Sequence, residues 1–164
     1  MTILLLAALS LAAGAQPASA PPQARWVSRW DRGECQLIRA VGDAQRIGLR
    51  AVPNADQISL WVFPEAAAPL PRGEPVRAAI AVPPARATVE SDSVTRSGER
   101  ADRVYKIDLP LSALNALAGA TAIQVRIDGT QILDLPLRSS AAAIDVLRQC
   151  MRDQTGGASA AQAN

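Results

Sequence analysis

The chain has 164 residues, a formal net charge of +2 and 49% hydrophobic residues, a composition typical of one globular domain and not of a disordered chain. So small a charge does not favour nucleic acid as a partner. The sequence contains no histidine, which excludes Ser-His and Cys-His nucleophiles and histidine-ligated metals.

Residues 1–20 are typical of an export signal. An apolar stretch from Ile3 to about Ala15 is too short to span a bilayer, which needs about 20 residues, and small residues that suit signal cleavage follow it. We predict cleavage after Ala15, with cleavage after Ala20 as the alternative. The mature protein is then periplasmic or secreted, and it has no stable membrane span.

Composition divides the rest of the chain into three parts. Residues 16–24 are rich in proline and predict an exposed, flexible leader. Residues 25–153 carry the alternating apolar patterns of a single disulfide-closed globular domain. Residues 154–164 are a Gly/Ala/Ser/Gln stretch with nothing to bury, which predicts a disordered tail.

Two cysteines, Cys35 and Cys150, lie near opposite ends of the predicted domain. Export places them in an oxidising compartment, where a pair of cysteines is expected to form a disulfide. The alternative is a reactive thiol, which here would lack both a Cys-x-x-Cys spacing and a histidine to activate it. We therefore predict a Cys35–Cys150 bridge that encloses nearly the whole domain.

Alternating apolar residues predict strands through most of the domain. Trp26–Trp30 and Cys35–Ala40 would form a hairpin with Trp26 and Trp30 packed on the core. Ile58–Phe63 is apolar on both faces, which predicts a central strand covered on both sides. The other predicted strands are Arg46–Val52, Val76–Val82, Ala87–Ser91, Val104–Leu109, Ile123–Ile127 and Thr130–Leu135.

Turn and helix signals complete the expected fold. Asp128-Gly129 between two alternating runs is the strongest hairpin signal in the chain. Ser112–Ala118, stopped by Gly119, predicts a short helix, and Ser139–Arg152 predicts an amphipathic helix with Cys150 on its apolar side. The predicted fold class is mainly β (α+β): an antiparallel β-sandwich or partly closed barrel, with one short helix and a C-terminal helix packed on the sheet.

Side chains capable of chemistry form no recognisable motif, so we predict no catalytic, cofactor-binding or metal-ligating residue. Asp128-Gly129-Thr130 has the wrong order for an aspartic-protease triplet. Lys106 shares its strand face with Asp108 and not with a serine, which argues against a Ser-Lys dyad. Glu90 and Asp92 share a strand face, as paired acid and base carboxylates do, but such pairs are also common on solvated faces.

Short motifs at the two ends of the mature chain resemble a known family. Trp30-x4-Cys35 follows the export signal, and Leu135-Pro136-Leu137 precedes an Ala-rich helix. This combination resembles the invasion-associated locus B family of small exported alphaproteobacterial proteins. The resemblance implies an all-β-like periplasmic or surface protein, with some members linked to host interaction, and it carries no functional residue to this chain.

Two functional hypotheses remain open. The leading one is a non-enzymatic exported binding or envelope-accessory protein without a cofactor, whose partner is an envelope or surface protein. Its partner surface would lie on the loops Pro64–Pro75 and Ser93–Ala101. The rival is a carboxylate-dependent hydrolase that uses Glu90 or Asp92 on an envelope glycan or peptide.

Overall fold

The computed structural model describes residues 25–41, 45–64, 76–84, 88–96 and 104–161. The predicted signal peptide and leader lie outside these residues. Within them, the chain forms strands and two helices: β1 (Trp26–Asp31), β2 (Glu34–Val41), β3 (Gln45–Ala51), β4 (Gln57–Phe63), β5 (Ala78–Ala81), β6 (Thr88–Ser91), β7 (Val94–Arg96), β8 (Tyr105–Pro110), α1 (Ala113–Ala118), β9 (Ala122–Ile127), β10 (Thr130–Pro136) and α2 (Ser140–Ala161).

The strands form two antiparallel sheets. The first has the order β1-β2-β3-β4-β8-β7 and the second has the order β10-β9-β5-β6. In both sheets the neighbouring strands pair antiparallel in the described residues. The two described sheets do not form a closed barrel, and the predicted fold class, mainly β with antiparallel sheets and two helices, is confirmed.

One short segment joins the two sheets at a corner. Ser91 in β6 pairs with Ala78 in the second sheet, and Val94 in β7 pairs with Ile107 in the first sheet. The Ser91 hydroxyl donates to the Asp108 carbonyl oxygen at 2.8 Å and accepts from the Ser93 amide at 3.1 Å. These bonds hold the bend at which the chain leaves one sheet for the other, a feature of sandwich corners.

The core lies between the inner faces of the two sheets and under the helices. Alternating residues of β2, β3, β4 and β8 supply one side, and those of β5, β9 and β10 supply the other, because successive side chains of a strand point to opposite faces. Helices α1 and α2 contribute Leu114, Leu117, Ile144 and Leu147 to the same cluster. The Ser140 hydroxyl donates to the carbonyl oxygens of Ala118 and Ala120 at 3.1 and 2.9 Å, so the start of α2 is fastened to the end of α1.

The predicted disulfide is present. Cys35 in β2 and Cys150 in α2 are bonded with a Cα–Cα distance of 6.0 Å across a sequence separation of 115. Cys35 is fully buried.

Helix α2 continues past Asp153 to Ala161, so the helix extends into the segment for which the sequence predicts a disordered tail. The Thr155 hydroxyl donates to the Met151 carbonyl oxygen at 2.8 Å within this extension.

One expectation about aromatic residues was wrong. Trp30 is 45% exposed and does not pack on the core, whereas Trp26 is half-buried and packs against the core as predicted. The reason is that β1 is an edge strand whose inner face is only partly covered by α2. The outer face of β4 is likewise half-buried, and arginines from β3 cover it: the Arg50 guanidinium lies 3.7 Å from the centre of the Trp61 ring and Arg46 lies 4.1 Å from that of Phe63.

No helix among the described residues is both long enough and apolar enough to cross a bilayer.

Candidate functional site

The β9–β10 turn forms one end of a surface groove. Asp128 and Gly129 have φ angles of 47° and 79°, the two positive values of a type I′ hairpin turn, which glycine adopts without strain. The Asp128 carboxylate accepts a hydrogen bond from the Arg77 amide at 3.1 Å, and the Asp128 amide donates to the Arg77 carbonyl oxygen at 3.0 Å. The turn is therefore tied to the residue that precedes β5.

The floor of the groove is an alanine between two charged neighbours. In the second sheet Ala79 pairs with Glu90 of β6 on one side and with Arg126 of β9 on the other. All three side chains lie on the outer face, because directly paired residues share a face. A methyl group between two long side chains leaves a depression. The Cα atoms of Glu90 and Arg126 are about 10 Å apart, two interstrand spacings.

The groove is open to solvent and has a volume of about 780 Å³. Its walls hold two arginines and three carboxylates, a formal charge of −1. All five charged residues are exposed. The lining residues are Arg77, Ala78, Ala79, Glu90, Ser91, Asp92, Arg126, Asp128 and Gly129.

Glu90 and Arg126, which face each other across the floor of the groove, do not form an ion pair. The ion pairs found among the described residues join Arg50 with Glu34, Lys106 with Asp108, and Arg148 with Asp145. Glu90 and Arg126 are therefore available to groups of a ligand. A ligand that fits both has an anionic group beside Arg126 and a cationic group beside Glu90.

A second polar cluster surrounds Asp108 on the outer face of the first sheet. Its carboxylate accepts hydrogen bonds from Ser59 at 2.7 Å and Ser93 at 3.2 Å, and it pairs with Lys106 at 3.0 Å. Burial opposes ionisation of this carboxyl, but the hydrogen bonds from Ser59 and Lys106, the Lys106 charge and the Ser93 hydrogen bond outweigh burial and lower the pKa of Asp108. A carboxylate with a lowered pKa is a weaker general base, so the environment of Asp108 does not favour activation of either serine.

A buried cation lies where β1, β2 and the start of α2 meet. Arg39 is only 2% exposed, and burial first, then the nearby Arg138 charge, lowers its pKa. Its guanidinium donates to the Arg138 carbonyl oxygen at 3.1 Å and lies 5.4 Å from the centre of the Trp26 ring. The Trp26 indole N–H donates to the same carbonyl at 2.9 Å. Arg39 thus connects the first hairpin to the C-terminal helix.

The structure brings together several charged residues that lie far apart in the sequence. Glu90, Asp92 and Asp128 all line the groove, whereas Lys106 lies on the other sheet and is paired with Asp108. Arg77 and Arg126 were missed, because only the pairing of β5 with β9 reveals their position. In the described residues, no group of three or more Cys, Asp or Glu side chains is placed to hold a metal ion.

The two loops proposed as a partner surface lie largely outside the described residues. Pro64 is described and is buried. In the second loop, Val94–Arg96 is strand β7, so the prediction of a loop over Ser93–Ala101 was wrong for that part. The strand forms because it pairs with β8, a partner that local composition does not reveal.

The chain matches no protein-family model, no curated protein and no solved structure. The resemblance to the invasion-associated locus B family stays a prediction.

Proposed function

We propose that this protein is an exported, non-enzymatic binding module that holds a short zwitterionic ligand, of the amino-acid or short-peptide class, in the groove of the second sheet. The observation that carries the proposal is the row Glu90–Ala79–Arg126, which sets opposite charges on either side of a small floor residue. A ligand with an amine and a carboxylate complements both walls. Charge complementarity of this kind gives specificity more than raw affinity.

Export is part of the proposal, and the disulfide supports it. Disulfides form and persist in oxidising compartments such as the bacterial periplasm and are rare in the cytosol. The Cys35–Cys150 bond encloses most of the domain. The disulfide-bonded fold would therefore persist in the periplasm or outside the cell. An envelope or surface protein could bind it there.

Hydrolysis by Glu90 and Asp92 is the weaker proposal. A catalytic acid of this type needs a raised pKa, which enzymes obtain by burial in an apolar pocket. Glu90 and Asp92 are both exposed in an open groove. Because both carboxylates line the same groove, peptide cleavage should be measured together with ligand binding.

The test compares two substitutions of the same kind on the same strand. Ala79→Leu fills the floor, whereas Ala81→Leu adds the same side chain on the same face of β5, at a position that does not line the groove. We expect a library of free amino acids, dipeptides and tripeptides to contain members that raise the melting temperature of the wild-type protein and of Ala81→Leu, but not of Ala79→Leu.

Three outcomes would count against the proposal. If no zwitterionic compound stabilises the wild-type protein, the ligand class is wrong. If Ala79→Leu responds as the wild type does, the groove is not the site. If mass spectrometry finds cleaved peptides that disappear with Glu90→Gln, the protein is a hydrolase.

A further inference from the structure

The free edge of β1 differs from the other three sheet edges of the described structure. Sheet edges expose unpaired N–H and C=O groups, and proteins protect them with short strands, prolines, bulges or charged side chains; β1 has only the last of these, in Arg29 and Asp31. Here β7 has three residues and β6 has four. Strand β10 has a register shift between Gln131 and Leu133 and ends at Pro136. Strand β1 has six residues, an unbroken register with β2 and no proline.

Strand β1 is also exposed on both of its faces. Val27 on the outer face is 55% exposed, and Trp30 on the inner face is 45% exposed. Within the described residues, β1 pairs with β2 and with no other strand. An edge with exposed apolar side chains on both faces is typical of an interaction surface.

We propose that β1 pairs antiparallel with β1 of a second copy of this chain, so that the two six-stranded sheets become continuous across a two-fold axis at Ser28. Isologous contacts of this kind are the commonest form of protein dimer. The residue pairs across the axis are Arg25 with Asp31, Trp26 with Trp30, Val27 with Arg29, and Ser28 with Ser28 of the second copy.

The charge pattern of the strand selects this register. Residues paired across antiparallel strands share a face, so a two-fold axis passes through a residue and not between two residues. An axis at Val27 would set Arg25 opposite Arg29, and an axis at Arg29 would set Arg29 opposite itself. Like charges directly opposite each other are destabilising. The axis at Ser28 avoids both clashes and brings Arg25 and Asp31 together twice.

The apolar pairs add to the contact. Two cross-strand pairs of Trp26 with Trp30 form on the inner face, and aromatic pairs of this kind favour strand association. The Trp26 ring is already held by its hydrogen bond to the Arg138 carbonyl oxygen, so little freedom is lost when it is covered. A contact limited to one strand is small, which places it with the weak, concentration-dependent associations.

The experiment exchanges the two charges. Arg25→Asp places Asp opposite Asp twice, and Asp31→Arg places Arg opposite Arg twice. We expect each variant alone to dimerise with a Kd roughly 10- to 100-fold higher than that of the wild type, because each substitution turns two attractive charge pairs into two repulsive ones. Mixing the two variants restores both opposite-charge pairs, so the mixture should form a heterodimer about as tightly as the wild type forms its homodimer.

Sedimentation equilibrium of the exported, disulfide-intact protein measures the homodimers, and a fluorophore on one variant measures the heterodimer by anisotropy. Arg152→Asp is the control, because it makes the same charge change at an exposed position of α2. It should leave the Kd unchanged, and thermal melting should show that every variant is folded.

The proposal is overturned by any of three results: a wild-type protein that stays monomeric at about 500 µM, well above the Kd expected of a weak specific contact; a dimer whose Kd is the same with Arg25→Asp; or a mixture of the two variants that associates no better than each variant alone.

Discussion

Removal of the Cys35–Cys150 bond should lower the free energy of unfolding by an amount that follows from its span. The bond joins residues separated by 115 positions. In the chain-entropy model a loop of this length corresponds to about 5 kcal/mol at 25 °C. Domains are typically stable by about 5–15 kcal/mol, so the bond accounts for a large share of the total. For a chain of this size such a loss lowers Tm by roughly 10–20 °C.

The assay is urea unfolding followed by far-UV circular dichroism, with the double variant Cys35→Ala/Cys150→Ala compared with the oxidised wild type. The reduced wild type is the matched control, because it keeps both sulfur atoms in place and loses only the crosslink. We expect both to lose several kcal/mol and to show a larger m value, since their unfolded chains expose more surface. A reduced wild type as stable as the oxidised form would refute the reasoning, because the destabilisation of the double variant would then come from packing at Cys35.

Substitutions at two further positions test the outer face of the first sheet. Arg50→Ala removes the stack on Trp61 and the ion pair with Glu34, and should lower the free energy of unfolding, measured in urea, by about 1 kcal/mol. Arg50→Lys should recover less than half of this loss, because an ammonium group does not stack as a planar guanidinium does. Full recovery with Arg50→Lys would contradict the stacking role. Asp108→Asn should destabilise the protein at neutral pH and flatten its acid dependence. Since the folded-state pKa of Asp108 is lowered, its contribution is present above the unfolded-state pKa of about 3.9 and is lost as the pH falls through the folded value. Unfolding measured between neutral and strongly acidic pH should therefore show the wild type and Asp108→Asn converging in acid, and a constant gap would contradict this.

Features that depend on local chemistry were predictable from the sequence. The Asp128-Gly129 hairpin follows from turn preferences that act within a few residues. The pairing of Cys35 with Cys150 was predictable because a chain with two cysteines allows only one intramolecular pairing. Strand positions followed from alternation, because the core face of a strand must be apolar.

Features that depend on lateral neighbours were not predictable. The groove exists because Ala79 lies between Glu90 and Arg126. These three residues come from three different strands, and no local sequence pattern indicates that these strands pair. The error at Trp30 has the same origin: alternation placed it on the inner face, where it does lie, but could not reveal that its strand is at an edge. Stacking of Arg50 over Trp61 likewise needed the pairing of β3 with β4.

The disulfide also determines how this chain responds to mechanical force. Cys35 is in β2 and Cys150 is in α2, so tension applied at the chain ends passes through the covalent bond and bypasses the residues between them. Only the segments outside the loop can extend, and within the described part of these segments β1 is the strand. Without the bond, the 115 positions it spans would lengthen by roughly 400 Å at about 3.5 Å per residue. Under tension between its two ends, the oxidised domain would release β1 while its groove kept its shape.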